Sequence, residues 1–134
     1  MLLLKRAAHA MNRPRRDDID YAVTLKNLER FKEAKSLLRK TLPVARRILG
    51  ESNEVTLKMR SSYAEALYRD DGATFDDLRE AVTTLEEAER TARRVLGGAH
   101  PITKGIEVEL QNARVALVPA KMREAIAAMT AGDA

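Results

Sequence analysis

The sequence predicts an all-α protein, an α-α superhelix of stacked antiparallel helical hairpins with about two and a half repeats. Apolar residues make up 45% of the chain but aromatic residues only 4%, so alanine and leucine, which favour helices, fill the core. Four prolines and six glycines leave few positions at which a helix must end. One segment of about 20 residues occurs twice with the apolar spacing of a helix.

The repeated segment is "FKEAKSLLRKTLPVARRILG" at 31–50, which aligns with "LREAVTTLEEAERTARRVLG" at 78–97 with an offset of 47 residues. Its apolar residues recur every three or four positions and therefore lie on one face of a helix. Gly50 and Gly97 each follow a basic last turn, which is typical of the residue that ends a helix. The two copies are therefore predicted to be equivalent helices.

A second similarity precedes each of these helices, because "YAVTL" at 21–25 matches "YAEAL" at 63–67 with an offset of 42 residues. The smaller offset indicates about five extra residues between the helices of the second hairpin. In that segment an Asp-Gly pair predicts a turn, and Thr74 with Asp77 predicts a capping box that opens the next helix.

These patterns predict helices at about 15–28, 31–49, 54–70, 75–96 and 101–117, followed by a segment at 120–130. Short connections favour antiparallel neighbours, so each pair forms a hairpin of a helix A and a helix B. Pro119 lacks a backbone donor, so the last segment either continues the fifth helix with a bend or folds back. Gln111 and Arg114 stand where the repeat has apolar residues, which predicts a polar cap at this end.

Charge divides the chain into two parts. Residues 1–16 contain five basic residues and no acidic one, which leaves 19 of the 24 basic residues against all 20 acidic residues in 17–134. We expect a basic leader, disordered or partly helical, before a helical repeat domain at 17–134. The repeats are predicted at about 15–50, 54–97 and 101–130. The leader is interpreted as a solubilising end, with a mitochondrial presequence or an arm for anionic surfaces as alternatives.

Small residues lie where the paired helices must approach closely, and they form a recognisable pattern. They are Ala22, Ala34 and Thr41 in the first hairpin and Ala64, Ala81 and Ala88 in the second. This pattern resembles the tetratricopeptide repeat. The crossover "LGGAHPIT" at 96–103, of which "LGESNEVT" at 49–56 is a degenerate copy, resembles kinesin-light-chain-type repeats in particular. The resemblance covers residues 14–117.

The resemblance implies a cytoplasmic, non-catalytic scaffold or adaptor whose A helices line a concave groove that binds a peptide segment of a protein partner. The family's groove positions correspond here to Arg16, Val23, Lys26, Asn27, Lys58, Ser61, Glu65, Tyr68, Arg69 and Asn112. This set is mainly basic with one aromatic residue, so we expect an acidic partner segment with one apolar anchor.

Two alternatives remain open at this stage. The chain is a self-associating structural module that forms a homo-oligomer through its C-terminal helix, "AKMREAIAAM" at 120–129, or it is a fragment of a longer repeat array.

The sequence lacks the residues that other functional classes require. Cysteine is absent, and the two histidines stand far apart, so we expect no metal, no cofactor and no enzyme activity. His100 precedes a proline at a predicted helix start and fits a role as an N-cap or in a hydrophobic staple. The acidic cluster around Gly72 lacks EF-hand spacing.

Basic pairs alternate with glutamates, and no apolar run is long enough to span a membrane, so we expect neither nucleic-acid nor membrane binding.

Overall fold

The computed structural model describes residues 16–27 and 29–132, with side chains described from residue 20 onward. This part of the chain forms five helices and no strand: α1 (Arg16–Asn27), α2 (Phe31–Leu49), α3 (Glu54–Arg69), α4 (Phe75–Leu96) and α5 (Pro101–Gly132). The predicted all-α fold of paired helices is confirmed. The predicted basic leader lies outside the described residues except for Arg16, which begins α1.

The helices α2 and α4 bury equivalent residues, as the repeat predicts. In α2 the buried set includes Phe31, Ala34, Leu38, Thr41 and Ala45, and in α4 it is Leu78, Ala81, Leu85, Ala88 and Ala92. Each member of the second set stands 47 positions after its counterpart. The alanines of both sets are completely buried, which lets the paired helices pack closely at these points.

The A helices form one side of the stack. Each helix packs against the next one in the chain, and α3 additionally packs against α1 and against α5. The central position of α3 explains why residues on several of its sides are buried, among them Leu57, Met59 and Ala66. The three A helices therefore lie side by side, while α2 and α4 lie behind them.

A buried arginine joins α3 to both of its flanking segments. Arg60 is 2% exposed, and its guanidinium lies 3.3 Å from the carboxylate of Glu51 and 3.5 Å from that of Glu87. Burial lowers the pKa of Arg60 from its ordinary value, and the two carboxylates oppose this effect. The charge is retained inside the stack because it is paired on both sides.

The predicted helix caps are present. The side chain of Thr74 accepts a hydrogen bond from the backbone N–H of Asp77, and the carboxylate of Asp77 accepts one from the N–H of Thr74. Asn53 and His100, which are 47 residues apart, each accept a bond from the N–H two positions later, at 2.8 Å and 3.1 Å. The cap role expected for His100 is confirmed.

The fifth helix differs from its predicted bounds, because α5 continues without a break to Gly132. Pro119 lies inside it on the exposed side. A proline within a helix leaves one carbonyl without its donor, here that of Val115. Since Val115 is 63% exposed, water can satisfy this carbonyl and the helix need not end.

The outer face of α5 is more apolar than the predicted polar cap, although Gln111 and Arg114, on which that prediction rests, are both exposed. Arg114 turns towards α4 and lies 3.3 Å from the carboxylate of Glu86. The side of α5 away from the core exposes large apolar residues instead: Val108, Val115, Val118, Met122, Ile126 and Met129. We refer to these six residues as the outer stripe.

Replacing Gly97 by alanine should destabilise the protein by about 1–3 kcal/mol, because its backbone conformation is open only to glycine. Gly97 has φ of 93° and ψ of 154°, although an added Cβ would meet no atom within 4 Å. The strain would therefore come from the backbone alone. Urea unfolding of the wild type and Gly97→Ala measures the difference. Gly98→Ala is the matched control. An equal loss of stability in both variants would contradict the assignment of the strain to the backbone conformation of Gly97.

Candidate peptide-binding groove

A groove of about 920 Å³ runs across the three A helices. It is lined by Asp20, Val23 and Lys26 of α1, by Leu49 at the end of α2, by Val55, Lys58, Ser61, Ser62 and Glu65 of α3, and by Pro101, Ile102, Gly105, Ile106 and Glu109 of α5. Because α1, α3 and α5 are packed side by side, they supply a continuous wall with residues from all three repeats.

One end of the groove is apolar. Leu49 at the end of α2 and Val55 in the first turn of α3 line the groove together with Ile102 and Ile106 from the start of α5. Gly105 lies among them, and a Cβ added there would meet no atom within 4 Å. The absent side chain therefore keeps this end of the groove open.

The middle of the groove contains a largely buried ion pair between α1 and α3. The ammonium group of Lys26 donates a hydrogen bond of 2.7 Å to the carboxylate of Glu65, and the two side chains are only 15% and 12% exposed. Arg69 donates to the other oxygen of Glu65, also at 2.7 Å. Glu65 therefore neutralises two of the basic residues assigned to the groove from the sequence.

A second contact joins α3 to α5. The hydroxyl of Tyr68 donates a hydrogen bond to the carboxylate of Glu109 at the groove wall. Burial raises the pKa of Tyr68 well above its ordinary value, and the hydrogen bond to the negatively charged Glu109 raises it further. The phenol stays neutral and acts as the donor between these helices.

The structure brings together only part of the predicted site. Lys26, Lys58, Ser61 and Glu65 line the groove together with Val23. The other predicted residues with described side chains, Asn27, Tyr68, Arg69 and Asn112, lie outside its lining. The side chain of Arg16 lies outside the described residues.

These four residues have other neighbours or are exposed. Arg69 lies over the ring of Phe31, with its guanidinium carbon 5.2 Å from the ring centre. Asn112 lies close to the hydroxyl of Tyr68, and Asn27 is exposed at the end of α1.

The sequence projection missed several lining residues, among them two acidic ones. Asp20, Ser62 and Glu109 occupy the same position in three successive A helices, at offsets of 42 and 47 residues. Their equivalent positions in the repeat could therefore have been recognised from the sequence. With Asp20 and Glu109 included, the lining has three acidic side chains and two basic ones, in contrast to the mainly basic groove expected.

Two further features of the described residues bear on function. None of the described helices is long and apolar enough to cross a membrane. Within the same part of the chain, no three His, Asp or Glu side chains form a cluster that could hold a metal ion.

Comparison with known protein families agrees with this geometry. The family model described as tetratricopeptide repeat matches residues 22–53, which comprise the second half of α1, all of α2 and the following crossover. Residues 22–53 are therefore similar to a tetratricopeptide repeat. Searches among curated proteins and among solved structures gave no match.

The tetratricopeptide repeat is a protein–protein interaction module, and the family is generally non-catalytic. The match ends at residue 53. The second hairpin, α3 and α4, repeats the buried positions of the first, and α5 supplies a third helix A. The groove lies across the A helices α1, α3 and α5 of this arrangement.

Replacing Tyr68 by phenylalanine should lower the free energy of unfolding by about 1–2 kcal/mol at neutral pH, because Glu109 loses its donor. The raised pKa of Tyr68 also has a pH consequence. Its contribution to stability is present below the ordinary tyrosine pKa of 10.0 and is lost as the pH rises above that value. Urea unfolding between pH 7 and pH 11 should therefore show a shallower alkaline loss of stability in Tyr68→Phe than in the wild type. Tyr21→Phe, at an exposed tyrosine, is the control, and identical alkaline slopes in all three proteins would contradict the assignment.

Proposed function

We propose that the protein is a cytoplasmic, non-catalytic scaffold or adaptor that binds a peptide segment of a partner protein in the groove between α1, α3 and α5. The observation that supports this most directly is the groove itself, which three successive A helices line with apolar residues at one end and charged residues along its length. Its volume lies in the range of sites that enclose a few side chains.

An apolar anchor of the partner fits the end formed by Leu49, Val55, Ile102 and Ile106. These side chains line the groove together with Gly105, where an added Cβ would meet no atom within 4 Å, so one apolar side chain of a peptide can enter there. Apolar anchors that fill such a space supply most of the affinity in peptide recognition, while the surrounding contacts supply specificity.

The proposed preference for an acidic peptide depends on Lys58. This lysine lies in the groove wall, is exposed, and forms no ion pair with another described residue. Lys26 and Arg69 contact Glu65 instead, so they contribute little net positive charge. A carboxylate of the peptide next to the apolar anchor would pair with Lys58.

We also propose that the repeats are of the kinesin-light-chain type. The offset of 42 residues between the equivalent segments of α1 and α3 and the long helices B support this. The crossover in which His100 caps α5 before Pro101 supports it as well.

Reversing the charge of Lys58 tests the proposed peptide chemistry. Random 12-residue peptides displayed on phage are selected on the wild type, on Lys58→Glu and on Lys40→Glu, which changes an exposed lysine of α2 outside the groove. We expect peptides with an acidic residue next to a large apolar one on the wild type and on Lys40→Glu. Peptides selected on Lys58→Glu should lack the acidic residue. The same acidic motif on all three proteins would contradict the role of Lys58.

Filling the space at Gly105 tests whether the peptide binds at this end of the groove. Gly105→Phe should weaken the binding of a selected peptide at least about tenfold, because the ring occupies the space of the anchor. Gly105→Ala should keep the affinity and raise the stability by about 1 kcal/mol, since alanine favours a helix more than glycine does. Isothermal titration calorimetry measures both affinities. Equal affinity of the wild type and a folded Gly105→Phe would show that peptides bind elsewhere.

A further inference from the structure

The outer stripe of α5 is an unusual concentration of exposed apolar residues. Of the nine large apolar residues found exposed in the described chain, six belong to the stripe, and each of these is 57–71% exposed. Scattered exposed apolar residues are normal on a protein surface, but a contiguous set on one helix marks an interaction site.

The stripe lies on the side of α5 opposite the core. The buried side of this helix contains Ile106, Leu110, Ala113 and Leu117. With 3.6 residues per turn, the stripe residues are centred roughly 150° around the helix from this buried side. None of the described helices covers the stripe, and beyond Ala120 every residue from 121 to 131 is exposed, so this end of α5 extends past the rest of the stack.

Five of the six stripe residues have the spacing of a coiled-coil seam. Val108, Val115, Met122 and Met129 recur at intervals of seven residues, and Val118 follows Val115 by three. A seven-residue apolar interval matches a partner helix that packs nearly parallel or antiparallel to α5, with knobs-into-holes contacts. The stripe from Val108 to Met129 is about 32 Å long, which is enough for three heptads.

We propose that the outer stripe packs against the same stripe of a second copy of this chain, so that the protein forms a homodimer through α5. Such a contact is self-complementary, because each copy presents an identical seven-residue pattern. No charged residue lies within the stripe, so no charge has to be desolvated to bring two stripes together; the polar residue on this side is Gln111, which can pair with a polar group of the second copy.

The area of the stripe is sufficient for a weak dimer. Burying one Val, Ile or Met side chain removes on the order of 100 Å² of apolar surface from water, so the six partly exposed residues offer roughly 400 Å² per copy. Flanking side chains such as Ala125 and the stem of Lys121 raise the total for both copies to about 1,000 Å², the lower limit for a specific interface. We therefore expect a dissociation constant on the order of 10 μM.

This dimer leaves the groove free. The groove residues of α5, such as Ile102, Gly105 and Glu109, lie on a different side of the helix from the stripe. The inference is therefore independent of the proposed peptide binding, and either one can fail without the other.

Sedimentation velocity of the whole chain from about 1 to 500 μM at physiological salt tests the dimer. We expect a monomer–dimer equilibrium for the wild type. Met122→Glu and Ile126→Glu should each weaken it at least about tenfold, because a carboxylate would be buried without a partner. Val95→Glu places the same charge on an exposed residue of α4 outside the stripe and should dimerise as the wild type does.

Circular dichroism verifies that the variants keep their helix content. We expect them to keep it because the substituted residues are exposed. A wild type that stays monomeric up to 500 μM would overturn the proposal, and so would a Met122→Glu variant that dimerises as strongly as the wild type. Gly105→Phe should dimerise normally. Loss of the dimer in that variant would mean that the groove, and not the stripe, holds the second copy.

Discussion

The close approach of paired helices at alanine is the constraint on which the rest of the structure depends. Ala34 and Ala81 are completely buried at equivalent positions of α2 and α4. A larger side chain at either position would push the paired helices apart and would change how each hairpin stacks on the next. The groove is a consequence of that stacking, because its walls are the exposed sides of α1, α3 and α5.

The width of the groove is set by two polar contacts between neighbouring A helices. Lys26 and Glu65 join α1 to α3, and Tyr68 and Glu109 join α3 to α5. Both contacts are partly shielded from water, which strengthens a charge-assisted hydrogen bond. They hold the groove walls in a defined relation, so the peptide binding that we propose would require little ordering of the protein and would cost little conformational entropy.

Much of the fold was predictable because it is recorded in local patterns that occur twice. The helix ends at Gly50 and Gly97 and the capping box at Thr74 depend only on residues near them in sequence. The bounds of α2 and α4 agree with the prediction for the same reason. The site was less predictable, because Asp20 and Glu109 become neighbours of Lys26 and Lys58 only once the helices are stacked. Their shared repeat position was visible, but the rotation of each helix towards the groove was not.

The helix α5 shows which features the repeat pattern could not predict. The chemistry of Pro119 left open whether the helix would continue with a bend or fold back, and it continues because Val115, whose carbonyl loses its donor, is exposed to water. The polar residues Gln111 and Arg114 suggested a cap, but Arg114 pairs with Glu86 on α4 and leaves apolar residues on the outside. Which side of a terminal helix faces outward depends on its packing, and the repeat pattern does not contain that information.

The central position of α3 has a consequence for the motions of the molecule. This helix is packed against the four other described helices, whereas α1 and the far end of α5 each have neighbours on fewer sides. Stability in stacked repeats is built from contacts between neighbours, so opening starts at the ends of the stack and reaches the middle last. The backbone amides of α3 would consequently exchange with deuterium most slowly, and those beyond residue 120 would exchange first.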